Sequence, residues 1–405
     1  MKNYQNQLIE LLNSYLKQEL IEYNSPMSFE EIIKEAESHK IEEFIYQSIK
    51  KNKIMDKCPS ELLDELKKHT ILTAINQKNH IIRTGEVLSI FKEHSIPVIV
   101  LKGLVVRELY ANPDLRTMGD ADILVHEHNL NRVNDILIEL GYREDSRNSS
   151  HVVYKHNNFK TIEVHWTLVN EVFFRGNVEN FEKNLWNNAV EVKVSESTAL
   201  SLGLEDLAIH LFIHMATHIV GSGFGIRQLC DLVLLLDKEE KNINWSYFKE
   251  GIEECGVSKF TGAIFGVCNK LFGTKIPKEV SSIGIDKIVV DELTKDIFES
   301  GVFGRKDLSK MFANQLACNF AEEGNDTLDS VYKRFLSLLF PPIDEMDNRY
   351  DYAKKNKVLS PVAWGHHLVN GALNTKYSMK DKINFAKSSV KSSTKRNKLI
   401  KRLEL

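Results

Sequence analysis

The sequence predicts an α+β chain, mostly helical, with a short mixed sheet set between two helical lobes. Two observations carry this. Apolar residues recur at spacings of three and four through most of residues 1–95, and again from about 198 onward. Between those stretches the period shortens to two in several β-branched or alternating runs, with one amphipathic helix among them, as an α+β module requires.

The N-terminal lobe is expected to hold the helices "NQLIELLNSYL", "FEEIIKEAESH", "IEEFIYQSI" and "ELLDELKKHTILTAINQKNHIIRTGEVLSIFKEH". Ser28, three residues before Glu31, predicts a capping box at the second of them. The mixed segment opens with "IPVIVLK" (96–102) as a strand, turns at Gly103, and continues through a helical "LVVRELYA" to the alternating strand "DADILV" (120–125). "NLNRVNDILIELGY" follows as a helix that Gly141 ends in a left-handed cap. "HVVYKHNN" and "KTIEVHWTL" read as a hairpin around Asn157 and Asn158. Helical period then returns in "TALSLGLEDLAIHLFIHMATHIV", "IRQLCDLVLLLDKE", "WSYFKEGIEECG" and "KFTGAIFGVCNKLFG", with further helices over 287–340, until "FPPIDEMDNRY" breaks the pattern at two prolines. The expected organisation is a helical lobe at 1–95, a core at 96–195, a helical domain at 196–340 and a polar, basic region at 341–405.

A net charge of -3 over 405 residues gives no global attraction to polyanions. Basic residues concentrate only in the tail "KDKINFAKSSVKSSTKRNKLIKRLEL", without an aromatic-laced stripe elsewhere, so a nucleic-acid partner is not expected. No apolar run is long enough to span a bilayer, and a cytoplasmic location is the expectation. The five scattered cysteines form no C-x-x-C pair and read as small apolar fillers.

The chemistry concentrates at Asp120 and Asp122. Strand alternation puts both side chains on one face, about 7 Å apart, while Ala121 and Ile123 point the other way. Two carboxylates this close repel unless a cation sits between them, and Mg²⁺ favours one or two carboxylates plus phosphate oxygens. The same parity groups Thr161, Glu163 and His165 on one face of the hairpin strand. If that strand lies beside the Asp strand, three acids can hold two metals about 3.5 to 4 Å apart, the clamp used in phosphoryl transfer. An Asp-x-Asp by itself is more often a turn pair, and Glu163 alone an edge-strand charge. The order of the elements favours the chemical reading. Removing the Asp122 carboxylate is then expected to leave metal-free stability unchanged or raise it. Gly103→Val, at a turn, is expected to weaken nucleotide binding while sparing the melt.

Other candidates carry less. His210, His214 and His218 stack on one helix face, where packing is the leading reading, phosphate contact the second and metal the third. Arg227 and Asp231 are spaced for an i, i+4 ion pair. "GSGFG" (221–225) lacks the lysine and hydroxyl of a phosphate loop.

The ordered set "LKG" (101–103), Tyr110, Arg116, "DADILV" and "IEVHW" resembles the nucleotidyltransferase superfamily with the polymerase-β-like fold, in particular its poorly characterised bacterial branch. "HLFIHMATHIVGSGFGIRQLCDLVLLL" and "LFPPIDEMDNRY" look like the same branch. The resemblance implies a mixed sheet flanked by helical lobes and Asp120, Asp122 and Glu163 as catalytic acids and ligands of Mg²⁺ or Mn²⁺. It also implies an NTP, ATP by expectation, as donor, with Lys102, Gly103, Tyr110, Arg116 and His165 around the nucleotide. One departure stands out: Gly103-Leu104 replaces the usual Gly-Gly or Gly-Ser turn, so Lys102 and Arg116 are the charges left to grip phosphate. The implied reaction, of the EC 2.7.7 type, moves an NMP to a hydroxyl-bearing small molecule or protein and releases pyrophosphate. The alternatives are a non-catalytic nucleotide- or partner-binding module and an antitoxin-like enzyme that modifies a protein.

Overall fold

The computed structural model describes residues 1–22, 26–169, 178–221, 223–302, 343, 346, 350–373 and 396–405. Two compact units emerge, one of residues 1–306 with 399–405 and one of residues 307–398. In the first, helices α1 (Asn3–Lys17), α2 (Phe29–His39), α3 (Glu42–Lys51) and α4 (Ser60–Glu93) precede a seven-stranded mixed sheet. Its strands are β1 (Ile99–Val100), β2 (Asp120–Leu124), β3 (Arg143–Arg147), β4 (His151–Lys155), β5 (Thr161–His165), β6 (Val190–Val194) and β7 (Ser197–Ser201). Helices α5 (Gly103–Val106), α6 (Leu130–Glu139) and α7 (Glu179–Leu185) are interleaved with them. Then come α8 (Leu204–Gly221), α9 (Ile226–Glu239), α10 (Trp245–Glu254), α11 (Ser258–Phe272), α12 (Lys278–Ser281) and α13 (Lys287–Ser300). In the second unit, α14 (Asp351–Lys355) and α15 (Ser360–Leu373) pack a small apolar group of Ile343, Met346, Tyr350, Ala353 and Ala363. Among the described residues no helix is long and apolar enough to cross a membrane.

The strand order is β3-β4-β5-β2-β1-β7-β6, with β2 parallel to β5 and β1 parallel to β7. Alternation along β2 divides the protein. Ala121 and Ile123, followed by Val125, join Val152, Ile162 and Val164 in a core closed by Val87, Leu88 and Phe91 of α4 and by Val133, Ile136 and Leu137 of α6. Leu124 faces the other way, in the larger cluster that also contains Phe212 of α8, Leu229 of α9 and Phe265 of α11. Asp120 and Asp122 share that second face by parity.

Most expected elements form where the periodicity puts them. Gly141 takes φ +85° and ends α6. The hairpin about Asn157 and Asn158 pairs β4 with β5. Several details differ. Ser28 occupies the N-cap position of α2, but its side chain makes no capping hydrogen bond; its backbone N–H donates instead to Gln7 Oε1 at 3.4 Å. Residues 198–201, expected in a helix, form β7 with β6 as its hairpin partner. β3 was not expected at all. Its five residues are all exposed, so it has no apolar face to read, and its charges suit a sheet edge. The four described cysteines, Cys58, Cys230, Cys255 and Cys268, are buried and free. The rest of the helices expected over 287–340, and most of "FPPIDEMDNRY" and of the basic tail, lie outside the described residues.

Helix α4 spans 34 residues and lies against α3 before reaching β6 and β7. Its approach to the sheet depends on Gly85, where a Cβ would sit 2.8 Å from the Val194 carbonyl oxygen and 2.9 Å from Ser195 Cβ. Gly→Ala inside a helix ordinarily gains about 0.5–1 kcal/mol. Here the backbone contact reverses the sign: Gly85→Ala should lower the urea unfolding free energy by about 1–3 kcal/mol, and a raised midpoint would contradict this packing.

Candidate functional site

The parallel register pairs Asp120 with Thr161, Asp122 with Glu163 and Leu124 with His165. Neighbours across parallel strands point the same way, so the pairing brings Asp122, Glu163 and His165 together. Their ligand atoms all lie within 4.8 Å of one another. Asp120 shares the face and lines the same cavity, but stands outside that tight group.

Lys102 enters from the β1–α5 turn. Its backbone sits at φ +47°, a conformation costly for a side-chain-bearing residue. Its Nζ donates to Asp122 Oδ1 at 2.8 Å, and His165 Nε2 lies 3.0 Å from the same oxygen. Burial alone would raise Asp122, but the Lys102 ammonium and His165 together hold it well below the usual carboxylate range. The opposite happens next door. Burial, followed by the charges of Asp122 and Asp120, pushes Glu163 up to about 8. Burial and Asp122 raise Asp120. One ammonium thus faces three carboxylates, and Asp122 and Glu163 among them could hold a divalent cation. The carboxylate oxygens suit a hard cation, the His165 ring being taken up by Asp122.

A cavity of about 190 Å³ opens over this face, roofed by His214 and His218 of α8 and by Arg227 and Asp231 of α9. His214 and His218 thereby belong to the site, their Nε2 atoms 3.1 Å apart. His210 packs behind them with neither ring nitrogen hydrogen-bonded. Burial lowers all three imidazoles, His210 to about 3 and His218 to about 4, which keeps them neutral at pH 7.

Arg116 and Tyr110, expected near phosphate, are held by Asp231. Asp231 Oδ1 accepts from Tyr110 Oη at 2.7 Å and Arg116 Nε at 3.0 Å, while Oδ2 accepts from Arg116 Nη2 at 2.5 Å. Asp231 therefore pairs across the fold instead of with Arg227 along its own helix. Arg227 Nη1 donates to the Thr117 carbonyl at 2.6 Å. Gly103 is buried, and a Cβ there would run into Arg116 Nη1 and Met118 Sδ. The expectation that Gly103→Val spares the melt is therefore overturned, because the turn is packed from above.

Three contributors escaped the sequence reading. Gln77 Nε2 donates to the Met118 carbonyl at 3.2 Å, Lys160 Nζ to the same carbonyl at 2.5 Å, and His80 Nε2 lies 3.1 Å from the Asp120 carbonyl. With Arg227 they fix residues 117–120, the lead-in to β2. A signal existed: Thr70, Thr73, Gln77, His80 and Thr84 put polar side chains on the buried stripe of α4. Thr73, Gln77 and His80 of this stripe and the lead-in line a second cleft of about 970 Å³, which meets the small cavity at Met118, Gly119, Asp120 and Arg227.

Residues 25–273 match the family described as "Uncharacterised nucleotidyltransferase". No curated protein matches the chain. Among solved structures, the solution structure of the antibiotic-resistance factor ANT(2'')-Ia is similar at 10% identity and TM-score 0.31, over 40% of this chain and 85% of that one.

Two outcomes test the geometry. Asp231→Ala leaves the buried Arg116 guanidinium unpaired and should cost about 3–5 kcal/mol of unfolding free energy. Metal-free Glu163 keeps a proton in the folded state up to about pH 8 that the unfolded chain releases near its ordinary value. The folded state then binds more protons, so this group's contribution to stability is present below the unfolded pKa and is lost as pH rises through 8. Urea midpoints of Glu163→Gln should fall less than those of the wild type between pH 5 and pH 8. Equal slopes would contradict the raised carboxyl.

Proposed function

Because the chain belongs to the uncharacterised nucleotidyltransferase family, we propose that it moves an NMP from an NTP, with ATP the expected donor, to a hydroxyl-bearing acceptor and releases pyrophosphate. The observation that carries this reading is the register of β2 on β5, which sets Asp122 beside Glu163 on the cavity side of the sheet. Asp122, Glu163 and Asp120 would hold Mg²⁺ or Mn²⁺, which supplies neutralisation of the charge that builds on the phosphate and leaving group.

The chain's own residues divide the remaining work. Lys102 keeps Asp122 ionised, and Glu163, which would ionise once a cation offsets the charges of Asp122 and Asp120, either holds the metal or takes the acceptor's hydroxyl proton as the oxygen attacks the α-phosphorus. The bond from that phosphorus to the bridging oxygen breaks, and the electron pair leaves on pyrophosphate. His214 and His218 roof the cavity as neutral donors or acceptors, and Arg227 puts a fixed positive charge at the junction of the two cavities. About 190 Å³ is small for a whole nucleotide, since drug-sized ligands occupy about 300–1,000 Å³. A phosphate end fits there, and the neighbouring 970 Å³ cleft has room for nucleoside and acceptor, with Asp120 between them.

The Lys102 ammonium favours one alternative. It already occupies an oxygen of Asp122, which suits a module that binds nucleotide without transferring it. Incubation with each α-labelled NTP, Mg²⁺ or Mn²⁺ and cell extract separates the two. Transfer predicts a labelled acceptor, macromolecular if a protein is modified, and Glu163→Gln should reduce labelling by about 10²-fold or more with the metal-free melt unchanged or raised. Asp122→Asn should lose labelling and also stability, because Lys102 is left buried without its partner. The sequence-based expectation of a neutral or stabilising Asp122 substitution thus passes to Glu163. Nucleotide binding without label under any of these conditions would favour the binding module.

A further inference from the structure

A second acidic group lines the larger cleft, on helices α3 and α4, which supply none of the three β2–β5 acids. Glu42 and Glu43 open α3, and His69 faces them from α4. The Glu42 side chain is 5% exposed and that of Glu43 is fully buried. Both oxygens of Glu43 and Oε2 of Glu42 are buried with no hydrogen-bond partner. Leaving such groups unpaired is costly, and for a carboxylate more so than for a neutral group. His69 Nδ1 is 3.5 Å from Glu43 Oε1 and Nε2 is 3.8 Å from Glu42 Oε1, too far apart for good hydrogen bonds. Lys40 is near enough to lower Glu42 but makes no ion pair with either acid among the described residues.

We propose that Glu42, Glu43 and His69 form a binding site for a divalent transition-metal ion of the Zn²⁺ class. Ligand atoms of the three residues lie within 4.8 Å of one another. An imidazole among carboxylates selects for Zn²⁺ and its neighbours over Mg²⁺ or Ca²⁺, which prefer all-oxygen sites. Three protein ligands leave one tetrahedral position open. His69, 49% exposed, stands on the cleft side, so that position faces the cleft that also reaches Asp120. An ion there ties the start of α3 to α4 and offers the cleft a site for a ligand oxygen. This goes beyond nucleotidyl transfer and does not require it.

The test uses the full chain carrying Asp120→Asn and Glu163→Gln, which remove two of the competing acids beside β2 and leave the Lys102–Asp122 pair intact. After chelator dialysis, Zn²⁺ is titrated by calorimetry and bound zinc is counted by elemental analysis. A single equivalent is expected. Loss of an outer-shell partner alone weakens metal sites by about 10–100-fold, so adding His69→Ala or Glu43→Gln should weaken binding at least about tenfold. His69 is half exposed, so its variant decides the matter even if Glu43→Gln fails to fold. No zinc uptake, or uptake unchanged by His69→Ala, would overturn the site.

Discussion

The pairing of Asp231 with Arg116 and Tyr110 joins the helical layer to the sheet. A bidentate guanidinium and a phenol converge on one buried carboxylate of α9, so this helix can occupy only one position above the lead-in to β2. The cavity over Asp122 and Glu163 exists because that helix, with α8, is held at that height. The cost of burying the ion pair is offset by the hydrogen bonds that satisfy both partners. The same pair draws Arg116 against Gly103, so a side chain packs on the turn expected to cradle phosphate while that turn still lines the cavity. Specific placement of the layers, more than net stability, is what such a pair contributes.

Much of this was legible in the chain. Alternation through Asp120, Ala121, Asp122 and Ile123 separates acid from core without knowledge of the fold. The same parity at Ile162, Glu163 and Val164 selects the partner face. Pairing between those strands is not written locally, because register depends on what packs behind both of them. The partner of Asp231 was illegible for a similar reason: Arg227 is four residues away along the helix, whereas Arg116 is distant in sequence and close only after folding. β7 was hidden because Ser197–Ser201 has small and polar residues that continue into the apolar start of α8. β3 is held by backbone pairing and shows no side-chain pattern.

The two cavities differ in chemistry as well as in size. Over β2 the walls carry carboxylates, neutral imidazoles, the Lys102 ammonium and the guanidiniums of Arg116 and Arg227. In the cleft along α4 the walls carry both signs of charge and open to solvent. Asp120 stands where they meet and is the only one of the three β2–β5 acids that lines both.

The lead-in to β2 is held through its carbonyl oxygens. Gln77, His80, Lys160 and Arg227 reach Thr117, Met118 and Asp120 by the backbone, and a Cβ added at Gly119 would meet nothing within 4 Å. At Gly119 residue identity is therefore loosely constrained, while positions distant in sequence on α4, on α9 and before β5 help to fix the segment. Mutational drift at Gly119 can pass without shifting the aspartates. A single change at Gln77 or Lys160, remote in sequence and unremarkable in composition, removes a hydrogen bond that holds the Met118 carbonyl just ahead of them.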